Sequence, residues 1–131
     1  MRFRKRHCAR HGDVPCSCSL GRLSRLIEPG ILLALKRQCC SHGYELADCV
    51  AKMELTDSEV EPGAVYRILR DLEAQGCVVS SWDTSGRGPA RRRYELTPVG
   101  EELLQMWVQV LTRRRDALNQ FLAAYTASPE R

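Results

Sequence analysis

The chain has no apolar run approaching the ~20 residues that span a bilayer, and its basic start, Met1-Arg2-Phe3-Arg4-Lys5-Arg6, lacks the apolar stretch of an export signal. A soluble, cytoplasmic protein is therefore expected. Catalytic signatures are missing as well. No Gly-rich phosphate loop and no Ser/His/Asp arrangement occurs, so the sequence argues against an enzyme. Aromatic residues are scarce, at 6%. Seven cysteines, an odd number, do not make a closed disulfide framework without an export signal, and point to a reducing compartment where thiols stay free or bind metal.

What is present is ordinary in amount and uneven in placement. With 131 residues and 44% hydrophobic content, one compact domain with a real core is expected. The net charge of +4 hides a gradient: Arg2, Arg4, Lys5, Arg6, Arg10, Arg22 and Arg25 face the single acid Asp13, while the rest of the chain is close to neutral. Within that near-neutral part, basic residues cluster at Arg87, Arg91, Arg92 and Arg93, and again at Arg113, Arg114 and Arg115. A basic arm and a basic loop on a neutral body are the charge distribution of a nucleic-acid binder, although charge runs are often plain solvated surface.

Residues 1–25 hold no sustained apolar period and read as an arm outside the core. From Glu28, Pro29 suits a first helical turn, and Ile31, Leu32, Leu33, Ala34 and Leu35 describe a well-buried helix ending near Gln38. Ser41 offers an N-cap for a second helix carrying Tyr44, Leu46, Ala47, Val50 and Met53. Pro62 opens a third, whose Val65, Ile68, Leu69 and Leu72 share a face opposite Tyr66, Arg67, Arg70 and Asp71, and Gly76 closes it at C′.

Past Cys77 the apolar period changes to two. Val78 and Trp82, a turn cluster from Thr84 to Pro89, and Arg93-Tyr94-Glu95-Leu96 form a hairpin with a basic tip, with Tyr94 packing under the sheet. Thr97 caps and Pro98 opens a last helix of close to 28 residues, longer than a small domain needs.

Three helices followed by a hairpin is the order of a winged helix-turn-helix, mainly α with one small β element. In that frame Gly63 and Ala64 let the third helix approach DNA closely, Tyr66, Arg67 and Arg70 reach phosphates or base edges, and Arg87, Arg91 and Arg92 extend from the wing. Residues 26–97 form the DNA-binding domain and 98–131 the dimerisation helix. That helix carries Leu104, Trp107, Val108, Leu111, Leu118, Phe121, Leu122 and Tyr125 as a stripe that one monomer has little core to cover.

The runs Ser41-His42-Gly43-Tyr44-Glu45-Leu46, Glu61-Pro62-Gly63-Ala64-Val65-Tyr66-Arg67-Ile68-Leu69-Arg70-Asp71-Leu72-Glu73 and Gly88-Pro89-Ala90-Arg91-Arg92-Arg93-Tyr94-Glu95-Leu96-Thr97-Pro98-Val99-Gly100 together resemble the PadR family of bacterial transcriptional regulators. The resemblance covers roughly residues 28–125 and is closest to the short subclass. It implies a homodimeric repressor with a winged-helix DNA-binding domain and a C-terminal dimerisation helix, and the family's residues carry over onto His42, as a phosphate contact at the start of the second helix, and Tyr44, more as core than as contact. Two-fold pairing through the last helix suits a palindromic operator, and release by a small-molecule, metal or redox signal is the expected mechanism. Trp82-Asp83-Thr84-Ser85 before Gly88 is further similar to polyhydroxybutyrate-responsive members. The alternative is a winged-helix module that binds protein without reading DNA.

The arm lies outside that resemblance. Cys8, His11, Cys16 and Cys18 are thiolate and imidazole donors within eleven residues, and the three cysteines with His11 or His7 form a four-ligand set suited to zinc or an iron–sulfur centre. The competing reading is free thiols in a basic arm that touches DNA. Cys49 and Cys77 read as small core residues, and the adjacent Cys39 and Cys40 stay open between joining the arm's site and being oxidised together.

Overall fold

A computed structural model describes residues 26–38, 40–55 and 60–129. Five elements follow the expected order, with a sixth closing the chain: α1 (Ile27–Lys36), α2 (Gly43–Lys52), α3 (Pro62–Ala74), β1 (Val78–Asp83), β2 (Arg91–Leu96) and α4 (Pro98–Ala127). No helix among the described residues is long and apolar enough to cross a membrane.

α1 is apolar on most sides because it is covered on most sides. Ile31, Leu32, Ala34 and Leu35 are buried where α2, α4, α3 and β2 meet around it. Each neighbour contributes its own helical stripe: Leu46, Ala47 and Val50 from α2, Val65, Leu69 and Leu72 from α3, and Leu103, Leu104, Trp107 and Val110 from α4. The indole N–H of Trp107 donates to Glu28 Oε2 at 2.7 Å, which satisfies the one polar atom of this buried ring. At the surface, Lys36 and Glu101 tie the end of α1 to α4.

The chain leaves α3 through a Schellman turn. Cys77 N–H donates to Leu72 O (2.8 Å) and Gly76 N–H to Glu73 O (3.0 Å), with Gly76 at φ 77°, a value glycine adopts without penalty. This turn aims β1 back along the domain. β1 and β2 pair antiparallel from Val78 opposite Leu96 to Asp83 opposite Arg91. The inner end, with Val78 and Tyr94, is buried, as expected for Tyr94; the outer end stands in solvent. A single bridge between His42 and Arg93 adds the entrance of α2 to the hairpin edge, where Tyr94 N–H donates to Ser41 O at 2.8 Å.

Thr97 caps α4 as expected: its Oγ1 accepts from Gly100 N–H (3.1 Å) and its hydroxyl donates to Gly76 O (2.6 Å), locking the helix start to the end of α3. For α2 the expectation needs correction. The N-cap is His42, not Ser41, because Ser41 is drawn into the pairing with β2. α4 runs for 30 residues, of which every one from Thr112 onward is exposed; only its first half packs on the domain.

Candidate nucleic-acid interface

The exposed side of α3 is built by spacing alone. Gly63, Tyr66, Arg67 and Arg70 stand at i, i+3, i+4 and i+7, opposite the buried Val65, Leu69 and Leu72. Gly63 is open, with nothing within 4 Å of where a β-carbon would lie, and Ala64 beside it is half-buried. Neither Arg67 nor Arg70 forms an ion pair among the described residues. The first turn of the helix holds no acid, and the carboxylate nearest its positive end is that of the N-cap residue, Glu61.

His42, Gly43 and Tyr44, at the start of α2, form a joint between three elements. Both ring nitrogens of His42 are engaged, Nδ1 with Glu45 Oε1 at 2.8 Å and Nε2 with Asp83 Oδ2 at 3.0 Å. The imidazole thus fastens α2 to the end of β1, and its ring is mostly buried. Gly43 lies directly under the Tyr66 ring, so the entrance of α2 seats the exposed aromatic of α3. Tyr44 corrects the core expectation: it is half exposed, stacks alongside His42 and accepts a hydrogen bond from Arg91, whose guanidinium also lies over its ring.

Two wing arginines are consequently less free than expected. Arg91 is held to Tyr44. Arg92 lies over the Trp82 ring directly across the hairpin, donates through Nε to Ser80 Oγ at 3.0 Å, and approaches Glu73 Oε1 of α3 at 3.7 Å. Ser80 in turn donates to Glu73 at 2.7 Å. Arg87, at the hairpin tip, is exposed and has no ion pair among the described residues. The residues that hold the wing, Asp83, Glu73, Ser80, Glu45 and Trp82, carry no sequence signal of that role, since each acts on a partner distant in the chain.

Asp83 is the anchor of this set. It accepts from both the hydroxyl and the N–H of Ser85, at 2.5 and 3.0 Å, and from His42. These donors, Ser85 first, hold its carboxyl well below the usual carboxylate range. Burial works the other way on Tyr94, whose phenol is pushed up.

The remaining expectations divide. Of the dimerisation stripe, Leu104 and Trp107 are taken up by the domain's own core and offer no surface; Leu111 is half-buried, and Val108, Leu118, Phe121, Leu122 and Tyr125 are exposed. Cys77 is a buried core residue as expected, whereas Cys49 pairs with Cys40 in a disulfide, with α-carbons 7.3 Å apart, and is not a plain core residue. Cys8, His11, Cys16 and Cys18 lie outside the described residues, among which no group of three or more metal-ligating side chains occurs.

This architecture matches known proteins closely. Residues 31–106 match the model of the transcriptional regulator PadR-like family. A conserved protein of solved structure, TM0937, described as a potential transcriptional factor, is 31% identical, with 82% of this chain and 96% of that one aligned at a TM-score of 0.65. A PadR family transcription regulator from hypervirulent Clostridium difficile R20291 is 25% identical over 74% of this chain and 98% of its own, with a TM-score of 0.62. The Bacillus subtilis PadR solved in complex with operator DNA shares the fold at 20% identity and a TM-score of 0.54, over 64% of this chain and 47% of that one. No curated protein matches the sequence. By the family match across more than half its length, this chain belongs to the PadR-like family of transcriptional regulators.

Proposed function

We propose that this regulator is a repressor that binds palindromic operator DNA as a homodimer, with α3 in the major groove and the hairpin along the backbone. One observation carries the reading: α3 presents Gly63, Tyr66, Arg67 and Arg70 on a single exposed side, with both guanidiniums unpaired among the described residues. Bacillus subtilis PadR, of the same fold, has been solved on operator DNA. Pairing through α4 would set two copies of α3 about 34 Å apart, one turn of duplex. Repression then follows from occupancy of a promoter, and release from a small-molecule, metal or redox signal that shifts the paired α4 helices, so that one half-site loses its phosphate contacts. The arm donors Cys8, His11, Cys16 and Cys18 are the proposed place for a metal; metal content of the freshly purified full chain tests them.

The main test uses duplexes selected from a random pool by the wild-type protein. In gel shifts at physiological salt, Arg67→Ala and Arg70→Ala each bind these duplexes more weakly. Unchanged affinity in both variants overturns the placement of α3, and salt-independent binding or none at all leaves the protein-binding module as the reading.

A further inference from the structure

We propose that Cys40 and Cys49 form a reversible thiol–disulfide switch that controls how firmly the wing is fastened to the helices. The two sulfurs are paired across the first turns of α2, nine residues apart in sequence. The loop that they close contains Ser41, His42, Gly43 and Tyr44. These residues make the Ser41–Tyr94 backbone bond, the His42–Asp83 bond and the Tyr44–Arg91 contact. These ties between α2 and the hairpin therefore sit inside the segment that the disulfide constrains. Closing that loop removes open conformations in which Ser41 lets go of β2; opening the bond restores them.

The pair is also reachable. Cys40 and Cys49 line a cavity of about 540 Å³ together with Tyr44, Asp48, Val60 and Pro62. The cavity opens to solvent between α2 and the first residue of α3, wide enough for a small oxidant. In a reducing compartment such a bond is held only transiently, which is the behaviour of a sensor and not of a structural staple.

The chemistry balances with a hydroperoxide as oxidant. One thiolate attacks the peroxide O–O bond, giving a sulfenic acid and, with hydrogen peroxide, one water after protonation. The second thiolate attacks the sulfenic sulfur, forming S–S and releasing hydroxide, which takes a proton to give the second water. Two electrons pass from the two sulfurs to the peroxide. A dithiol reverses the reaction through a mixed disulfide.

The test reads the joint itself. The full chain is treated with hydrogen peroxide or with dithiothreitol. Digestion with trypsin and a Glu-specific protease cuts after Arg37, Glu45 and Lys52. Peroxide is expected to leave peptides 38–45 and 46–52 joined, and the link persists in Cys39→Ser. Hydrogen exchange at the Tyr94 amide is expected to slow by about tenfold in the oxidised form. In the Cys40→Ser/Cys49→Ser variant it no longer responds to peroxide. Absence of the link, loss of it in Cys39→Ser, equal exchange in both redox states, or a response that survives in the double variant each overturns the proposal. None of these readouts involves DNA. The consequence for DNA, tighter duplex binding by the oxidised form, rests on the repressor reading and fails separately if duplex binding is absent.

Discussion

The ring of Tyr66 covers Gly43 so closely that a β-carbon built there would stand 2.3 Å from Tyr66 Cε1. Glycine makes room at this point for the approach of another helix, and the atom a β-carbon would meet is the far end of a half-exposed side chain. Gly43→Ala is therefore expected to displace the Tyr66 ring without unfolding the domain, at a cost of about 1 kcal/mol. In Gly43→Ala/Tyr66→Ala the two costs should fall short of their sum, because the second change removes the clash. Urea denaturation of the four proteins measures this; full additivity would show that Tyr66 does not rest on Gly43.

Two other glycines separate stability from binding. At Gly100 an added β-carbon would meet the Cys77 carbonyl oxygen at 2.1 Å, and that carbonyl is fixed by Thr97 N–H at 3.1 Å. Backbone cannot swing aside, so Gly100→Ala should cost about 3 kcal/mol or more. Gly63 has open space around it, and alanine there should raise stability by a few tenths to about 1 kcal/mol. In the DNA-binding reading the same methyl holds the helix off the duplex, so affinity drops as stability rises. Thermal melts and gel shifts on both variants test the contrast.

Local signals made much of this fold readable in advance. Pro62 at the start of α3, Gly76 in its closing turn, and the Thr97–Pro98 opening of α4 are chemistry between near neighbours, and each stands where the sequence placed it. The roles of His42, Tyr44 and Arg92 were not readable, because each is decided by a partner far along the chain: Asp83, Arg91 and Glu73. A charged side chain looks the same in sequence whether it meets a phosphate or an internal carboxylate. Trp107 shows the same limit for apolar residues, since its spacing suits a dimer stripe and its burial belongs to α1 and Glu28.

The Asp83 anchor predicts a pH dependence. Its folded carboxyl titrates below the unfolded range, so its stabilising bonds to Ser85 and His42 are fully present above the unfolded carboxylate value of about 3.9 and are lost as pH falls toward the lower folded value. The stability advantage of wild type over Asp83→Asn should therefore shrink as pH falls below about 4. Denaturant melts from about pH 4 downward check the sign; an advantage that grows there contradicts the anchor.

Arginines that look alike in sequence should differ in the salt dependence of duplex binding. Arg67 on α3 has no ion pair among the described residues, and Arg67→Ala should lower the slope of log affinity against log salt by about one. Arg92 is occupied by Glu73, Ser80 and Trp82, so Arg92→Ala should change that slope much less while costing under about 1 kcal/mol of stability, a half-exposed pair being well screened. Titrations at four salt concentrations separate the two. Equal slopes for both variants would mean that Arg92 leaves Glu73 when DNA binds.

The outer half of α4 gives the sharpest test of assembly. Residues 112–127 continue the helix for about 24 Å beyond the domain with every side chain exposed, including Phe121 at 68% and Tyr125 at 76%. An isolated helix of this length is marginal in water unless a partner covers its apolar face, here Leu118, Phe121, Leu122 and Tyr125 at i, i+3, i+4 and i+7. In a homodimer, Leu118→Glu/Phe121→Glu should therefore yield a monomer by sedimentation at micromolar concentration. Its winged-helix core should still unfold cooperatively, because no core side chain has changed. Trp107→Ala should behave oppositely, losing about 3–5 kcal/mol from the core whatever the assembly state. A wild-type chain that sediments as a monomer under the same conditions removes α4 as the dimer contact, and with it the spacing argument for a palindromic site.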